Sequence, residues 1–209
     1  MRQLNGFLHT VMAPALLAGA LLVSASAAMA QDAPPIGVRG AITAVDGDVM
    51  KIHTTRGEDV TVGLTKSTQI RGVSLANISD VVPGSYIGSA ATPLPDGTLK
   101  ALEIHVFPPE MRGAGDGHRA WDSAKNGTMT NGTIGDLVVS NGRTITVKYK
   151  NGEKKIVIPE DVPIVKLEAG DRSLLVPGTK VVLFAKKDAS ANLSALFISA
   201  GKNGVTPPM

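Results

Sequence analysis

The chain alternates apolar and polar residues at a spacing of two over several short stretches. Met50, Ile52 and Thr54 alternate with Lys51 and His53, and Ile145, Val147 and Tyr149 alternate with Thr146, Lys148 and Lys150. Successive side chains of a strand point to opposite faces, so this period predicts half-buried β-strands. Asp46-Gly47 and Asn141-Gly142 suit the positive backbone angles of two-residue hairpin turns. The pattern predicts a three-strand meander over 38–45, 48–55 and 58–65. Beyond it, Leu75, Ile78 and Val82 recur at spacing three to four, which predicts one or two helical turns ended by Pro83. Two more strands are predicted near 85–92 and 98–107.

The same order returns further along. "AVDGDVMKIHTTRGEDVTVGL" (44–64) aligns with "VSNGRTITVKYKNGEKKIVIP" (139–159), Val82-Pro83-Gly84 with Val176-Pro177-Gly178, and "LKALEI" (99–104) with "LSALFI" (193–198). The offset is 95 early and 94 later, a slip of one loop residue. An internal repeat of this kind predicts a duplicated module. Three strands, a short helical crossover and two further strands is the order of a small OB-like Greek-key barrel. The expected fold class is therefore all-β: two tandem five-stranded OB-like barrels at 36–108 and 131–203, an inter-repeat segment 109–130 containing a tryptophan, and a tail 204–209.

Residues 1–30 break the pattern. Arg2, an apolar run from Val11 to Val23 and small residues closing on Ala28-Met29-Ala30 read as a secretory signal, with Gln31 as the first residue after cleavage. A transmembrane helix needs about 20 apolar residues, and the thirteen here include Pro14 and Gly19. The expected location is the periplasm, with no stable membrane insertion after cleavage. The chain has no cysteine, so disulfides, thiolate metal sites and a cysteine nucleophile are excluded. Of 21 Lys+Arg only Arg2 lies in the signal, which leaves a net charge of +2 beyond it against 18 Asp+Glu. That near balance and only 3% aromatic residues argue against nucleic acid as a partner. Four Asn-x-Ser/Thr sequons, at Asn77, Asn126, Asn131 and Asn192, would matter only in a eukaryotic secretory pathway.

The two modules, with "GHRAWD" (117–122) and "TMTNG" (128–132) between them and "GKNGVTPPM" (201–209) closing the chain, resemble a family of exported bacterial proteins built from tandem OB-like domains of unknown function. The resemblance covers nearly all of 36–209. It implies a barrel fold and an envelope compartment and carries no catalytic residues. Some relatives are labelled as components or permeases of metal transport systems, and a permease needs a membrane span that the pattern lacks.

Candidate chemistry concentrates in a few side chains. Glu103 and His105 share one face of a strand, as two metal ligands would, and His53 or His118 would complete a zinc or copper set. His105 and Glu103 have no counterparts in the second copy, where Ser199 and Phe197 stand, while Lys148 stands for His53. Met111, His118 and Met129 offer softer ligands suited to copper(I). Asp116, His118 and Asp122 with Ser123 form a conceivable hydrolytic set, but no nucleophile elbow, zinc-protease helix or phosphate loop accompanies them. Trp121, flanked by Arg119 and Asp122, is out of place in a free linker. An indole suits a boundary that is packed on one side and wet on the other. It predicts docking onto a barrel, and His118, Arg119, Trp121 and Asp122 are the expected lining of a groove there. The function expected is a non-enzymatic binding or adaptor protein for an envelope protein or a small ligand, without a cofactor. The alternative is a periplasmic metal-binding accessory using His53, Glu103, His105 and His118.

Overall fold

Thirteen strands, three single turns of 3-10 helix and no α-helix make up the described part of the chain, which in this computed structural model comprises residues 34–138, 143–188 and 190–208. The signal-like residues 1–30 and the Asn141-Gly142 turn lie outside it. The strands are β1 (Ile36–Asp46), β2 (Val49–Thr54), β3 (Asp59–Gly63), β4 (Gln69–Leu75), β5 (Tyr86–Pro93), β6 (Leu99–Val106) and β7 (Gly117–Ala120). They continue with β8 (Thr128–Val138), β9 (Thr144–Tyr149), β10 (Gly152–Val157), β11 (Ile164–Ala169), β12 (Lys180–Lys187) and β13 (Leu193–Gly201). The period-two stretches do become half-buried strands: in β2, Met50, Ile52 and Thr54 are buried while Val49, Lys51 and His53 are exposed.

The protein is all-β with a closed five-stranded barrel and further strands around it. β1 pairs with β2, β2 with β3, β3 with β13, β13 with β12, and β12 again with β1. Its interior holds Ile42, Met50, Ile52, Val62, Leu183 and Ile198. β8, β9, β10, β6 and β5 pair in the same cyclic order around a second apolar cluster that includes Ile87, Ile104, Ile145 and Ile156.

These pairings correct the expected organisation. Closure does not occur within 36–108 and within 131–203: the meander β1–β3 closes with β12 and β13, and the meander β8–β10 closes with β5 and β6. The described residues, 34–138, 143–188 and 190–208, accordingly all fall in one compact unit. The reason lies in β4, which stands near the place where the pattern predicts a helical crossover. β4 is a strand of seven residues, and at about 3.3 Å per residue it carries the chain roughly 20 Å onward. It pairs antiparallel with β11 and parallel with β13. The following hairpin therefore lands beside β8 and β10 and not beside β1 and β3. Between β4 and β5 the helical element is the single 3-10 turn Ile78–Asp80, and both Leu75 and Val82 are exposed.

β7 is a further departure, since the pattern assigns "GHRA" to a connecting segment. It is a short edge strand on β8, running from Gly117 opposite Asn131 to Ala120 opposite Thr128. Among the described residues no helix is long and apolar enough to cross a membrane.

Two glycines allow the first strand of each meander to bend across its neighbour. A Cβ at Gly40 would lie 2.3 Å from the His53 carbonyl oxygen and 2.8 Å from the Thr54 Cα. One at Gly132 would lie 2.4 Å from the Lys148 carbonyl oxygen. Both obstacles are backbone, which cannot swing aside as a side chain can. We expect Gly40→Ala and Gly132→Ala each to destabilise the fold by about 1–3 kcal/mol, the usual cost of overpacking, measured by urea denaturation. Unchanged midpoints would contradict the close approach.

Candidate functional site

β6 and β13 flank the central β4–β11 pair on opposite sides, and the space they leave is not fully packed. A cavity of about 360 Å³ lies there, within the usual range for small-ligand pockets. Its apolar wall comes from Phe107, Met111, Trp121, Met129, Leu167, Phe184 and Phe197. The rings are in contact: Trp121 lies tilted against Phe184 at 6.0 Å, and Phe184 stacks on Phe197 at 4.9 Å. Thus Trp121 docks, as expected of an indole in this segment, and its partner is a residue of β12.

The polar lining consists of Arg71, His105, Arg119, Asn131 and Ser199, and it includes no carboxylate. Three polar atoms of this lining are buried and unpaired: His105 Nε2, Trp121 Nε1 and Asn131 Oδ1. An unsatisfied buried donor or acceptor costs about 1–3 kcal/mol, so three in one cavity is a concentrated cost. Asn131 is held by donating from Nδ2 to the Ala114 carbonyl at 3.0 Å, and Tyr86 donates to the same carbonyl at 3.1 Å. The loop after Met111 is thereby fixed over the cavity. Arg119 donates to the Gly115 carbonyl at 2.9 Å and sits 5.5 Å from the Trp121 ring centre, a cation–π distance. Arg71 donates to Gln69 Oε1 at 3.1 Å. Partial burial pulls the pKa of Arg71 down, against the opposing effect of Glu110 nearby.

Glu103 and His105 do share a face, and that face is buried, with both residues under 5% exposed. Glu103 Oε1 and His105 Nε2 are 3.4 Å apart without completing a hydrogen bond. Burial pushes the Glu103 carboxyl up to about 8, against the lowering influence of Arg39, and pushes His105 down to about 4. Between those values both groups are neutral, so they form no ion pair. His105 faces the cavity, while Glu103 lines a separate open groove of about 790 Å³ with Arg39, His53, Asp122, Ser123 and Lys180. The pair forms part of the wall between the two spaces.

The remaining candidates are dispersed. His53 binds the Asp59 carboxylate at 2.8 Å on the exposed rim. His118 hydrogen-bonds through Nδ1 to Thr130 at 2.8 Å and stacks near Tyr149, and burial lowers its pKa. Asp122 takes a 2.9 Å ion pair from Arg39, and Asp116 accepts from the Lys150 amide at 2.9 Å. Of the expected groove residues the cavity therefore contains Arg119 and Trp121, whereas Asp122 belongs to the other groove and His118 to neither. Among the described residues no three His, Asp or Glu side chains converge on a metal position. Met111 and Met129 do reach the cavity with His105, but Arg71 and Arg119 bring positive charge there, which opposes a bound cation.

Residue pattern does not single out Arg71, Asn131, Phe107, Phe184, Phe197, Leu167 or Ser199 as site residues. One signal is available: Phe197 and Ser199 stand where the first copy has Glu103 and His105. Taken alone, that substitution suggests two separate environments. The structure instead brings His105, Phe197 and Ser199 to one cavity. Compared with protein-family models, with curated proteins and with solved structures, the chain matches none.

The neutral Glu103–His105 pair makes stability depend on pH in a specific way. Glu103 has a raised folded pKa, so its contribution is full below about 4.5 and is lost as pH rises towards about 8. His105 has a lowered one, so its contribution is full above about 6.5 and is lost as pH falls towards about 4. Between about 4.5 and 6.5 the two slopes oppose and cancel. We expect a stability plateau there, with a decline from about 6.5 to 8 that Glu103→Gln abolishes, read from thermal melts across pH. A wild-type melting temperature that keeps rising through that alkaline window would contradict the neutral pair.

Proposed function

We propose that this chain is an exported, periplasmic, non-enzymatic binding protein whose small ligand occupies the aromatic cavity between β4, β6, β11 and β13. The observation that carries the reading is an aromatic-walled space whose lining also brings together Arg71, Arg119 and Asn131, with unpaired buried polar atoms on the lining residues Trp121 and Asn131. Native interiors rarely leave such atoms unsatisfied, and a ligand or water with matching donors and acceptors removes the cost. The apolar rings favour an organic ligand over water alone.

We further infer that the chain is a duplicated OB-like module whose two barrels have exchanged their second halves. Strand irregularities in corresponding places support this. The β1–β2 pairing shifts between Ile42 and Ala44, and β8–β9 between Ile134 and Asp136, 92 residues on and at the same position within two eleven-residue strands. The β5–β6 pairing shifts at Ala90/Ala91, and β12–β13 at Phe184/Ala185, 94 residues on. The β4–β11 register is also its own image under that offset, since Val165 meets Leu75 and Ala169 meets Arg71. The signal-like pattern of residues 1–30 supports export. Of the hydrolytic candidates, Asp116 and His118 are engaged by the Lys150 amide and by Thr130, while Asp122 and Ser123 line the other groove.

The reading is checked by intact and native mass spectrometry of chain recovered from the bacterial envelope. We expect a polypeptide beginning at Gln31 that carries a small organic mass under native conditions. Ser199→Leu, which fills part of the cavity, is expected to lose that mass while keeping the β-rich circular dichroism. A chain still beginning at Met1 would contradict export. An organic mass retained equally by Ser199→Leu would place the ligand elsewhere.

A further inference from the structure

The cavity between β4, β6, β11 and β13 has a chemistry that restricts what it can hold. We propose, resting on its being a ligand site, that the ligand is a planar aromatic carboxylate carrying a second hydrogen-bonding group. The planar part is argued from shape. Phe184 stacks on Phe197 with centres 4.9 Å apart, and Trp121 meets Phe184 at a tilt with centres 6.0 Å apart. A flat ring added to such a stack gains offset or edge contacts that a saturated ring of equal size lacks.

The carboxylate is argued from charge. Arg71 and Arg119 both line the cavity, no Asp or Glu does, and neither arginine forms a salt bridge among the described residues. Glu110 acts on Arg71 through space, Asp116 acts beside Arg119 on Tyr86, and Glu103 behind His105 is neutral at neutral pH. A guanidinium matches a carboxylate with two parallel hydrogen bonds, the strongest such pairing available to a side chain. A neutral ligand would displace solvent from these guanidiniums without replacing its hydrogen bonds. The second polar group is argued from the unpaired atoms. Asn131 Oδ1 accepts and Trp121 Nε1 donates, which suits a hydroxyl able to do both.

The chain has a single tryptophan, so Trp121 fluorescence reports on this cavity alone. The test titrates ligand-free protein at neutral pH with para-hydroxybenzoate, para-hydroxybenzamide and cyclohexanecarboxylate, with calorimetry alongside. We expect the aromatic acid to bind at least about tenfold more tightly than its amide, a difference of about 1.4 kcal/mol, and more tightly than the saturated acid. Arg71→Met is expected to erase the acid's advantage over the amide while keeping the β-rich circular dichroism, so loss of fold is separated from loss of charge recognition. If the amide binds as tightly as the acid, the carboxylate assignment is overturned while the cavity remains a ligand site. If none of the three binds, by fluorescence or by calorimetry, the ligand-site reading falls with it.

Discussion

The structure depends on one antiparallel pairing at its centre, between β4 and β11. Five residue pairs, from Val165–Leu75 to Ala169–Arg71, join two strands that lie in neither ring of paired strands. Each is also a parallel neighbour of a ring strand, β4 of β13 and β11 of β6. The hydrogen-bonded path therefore continues from one ring to the other without an edge. Ser74 donates to Glu168 Oε1 at 2.8 Å across this pair, and Lys202 from the carboxyl end binds the other Glu168 oxygen. These bonds hold the Glu168 carboxyl at about 2, well below its ordinary value. The chain is one body here because the meander β1–β3 pairs with β12 and β13 and the meander β8–β10 pairs with β5 and β6.

The same arrangement accounts for the cavity. Side chains of β6 and β13 that would point to solvent on a free-standing barrel are here turned towards β4 and β11. This explains why Glu103 and His105 are buried although they occupy the outer face of β6, and why burial neutralises both. A neutral acid beside a neutral imidazole costs less in a low-dielectric wall than two charges would. On the opposite side Phe197 and Ser199 occupy the related positions and complete an aromatic wall with Phe184 and Trp121. Asymmetry between the two halves is thus concentrated at their shared boundary, where identical side chains would have met across the centre.

Much of this architecture is legible from residue pattern. The alternation around Met50 and Val147, the Asp-Gly turn after Asp46 and the matching Val-Pro-Gly segments mark the meanders and the hairpins that come after them. β4 is not legible. Its sequence "QIRGVSL" has Gly72 in the middle and buries the adjacent residues Gly72 and Val73, because it is flanked by strands on both sides and crossed by the Lys202 side chain. Period-two alternation describes a strand with one wet face, whereas the middle of β4 is covered on both faces and only its ends, Gln69 and Leu75, are exposed. The exchange is hidden for a related reason: two modules of equal strand order satisfy the same local rules whichever hairpin closes which meander. At the site, Arg119 and Trp121 stand out by composition. Arg71, Asn131 and Phe184 do not, since each lies in a separate strand and only the exchange brings them together.

The central claim is that both rings and the cavity between them form one cooperative unit, and native-state hydrogen exchange tests it most directly. Amides of β2, β9, β4 and β11 are expected to share one opening free energy and one denaturant dependence, equal to those of global unfolding. Two groups of amides with distinct opening energies, divided between residues 36–108 and 131–203, would contradict the exchange and restore two independent barrels.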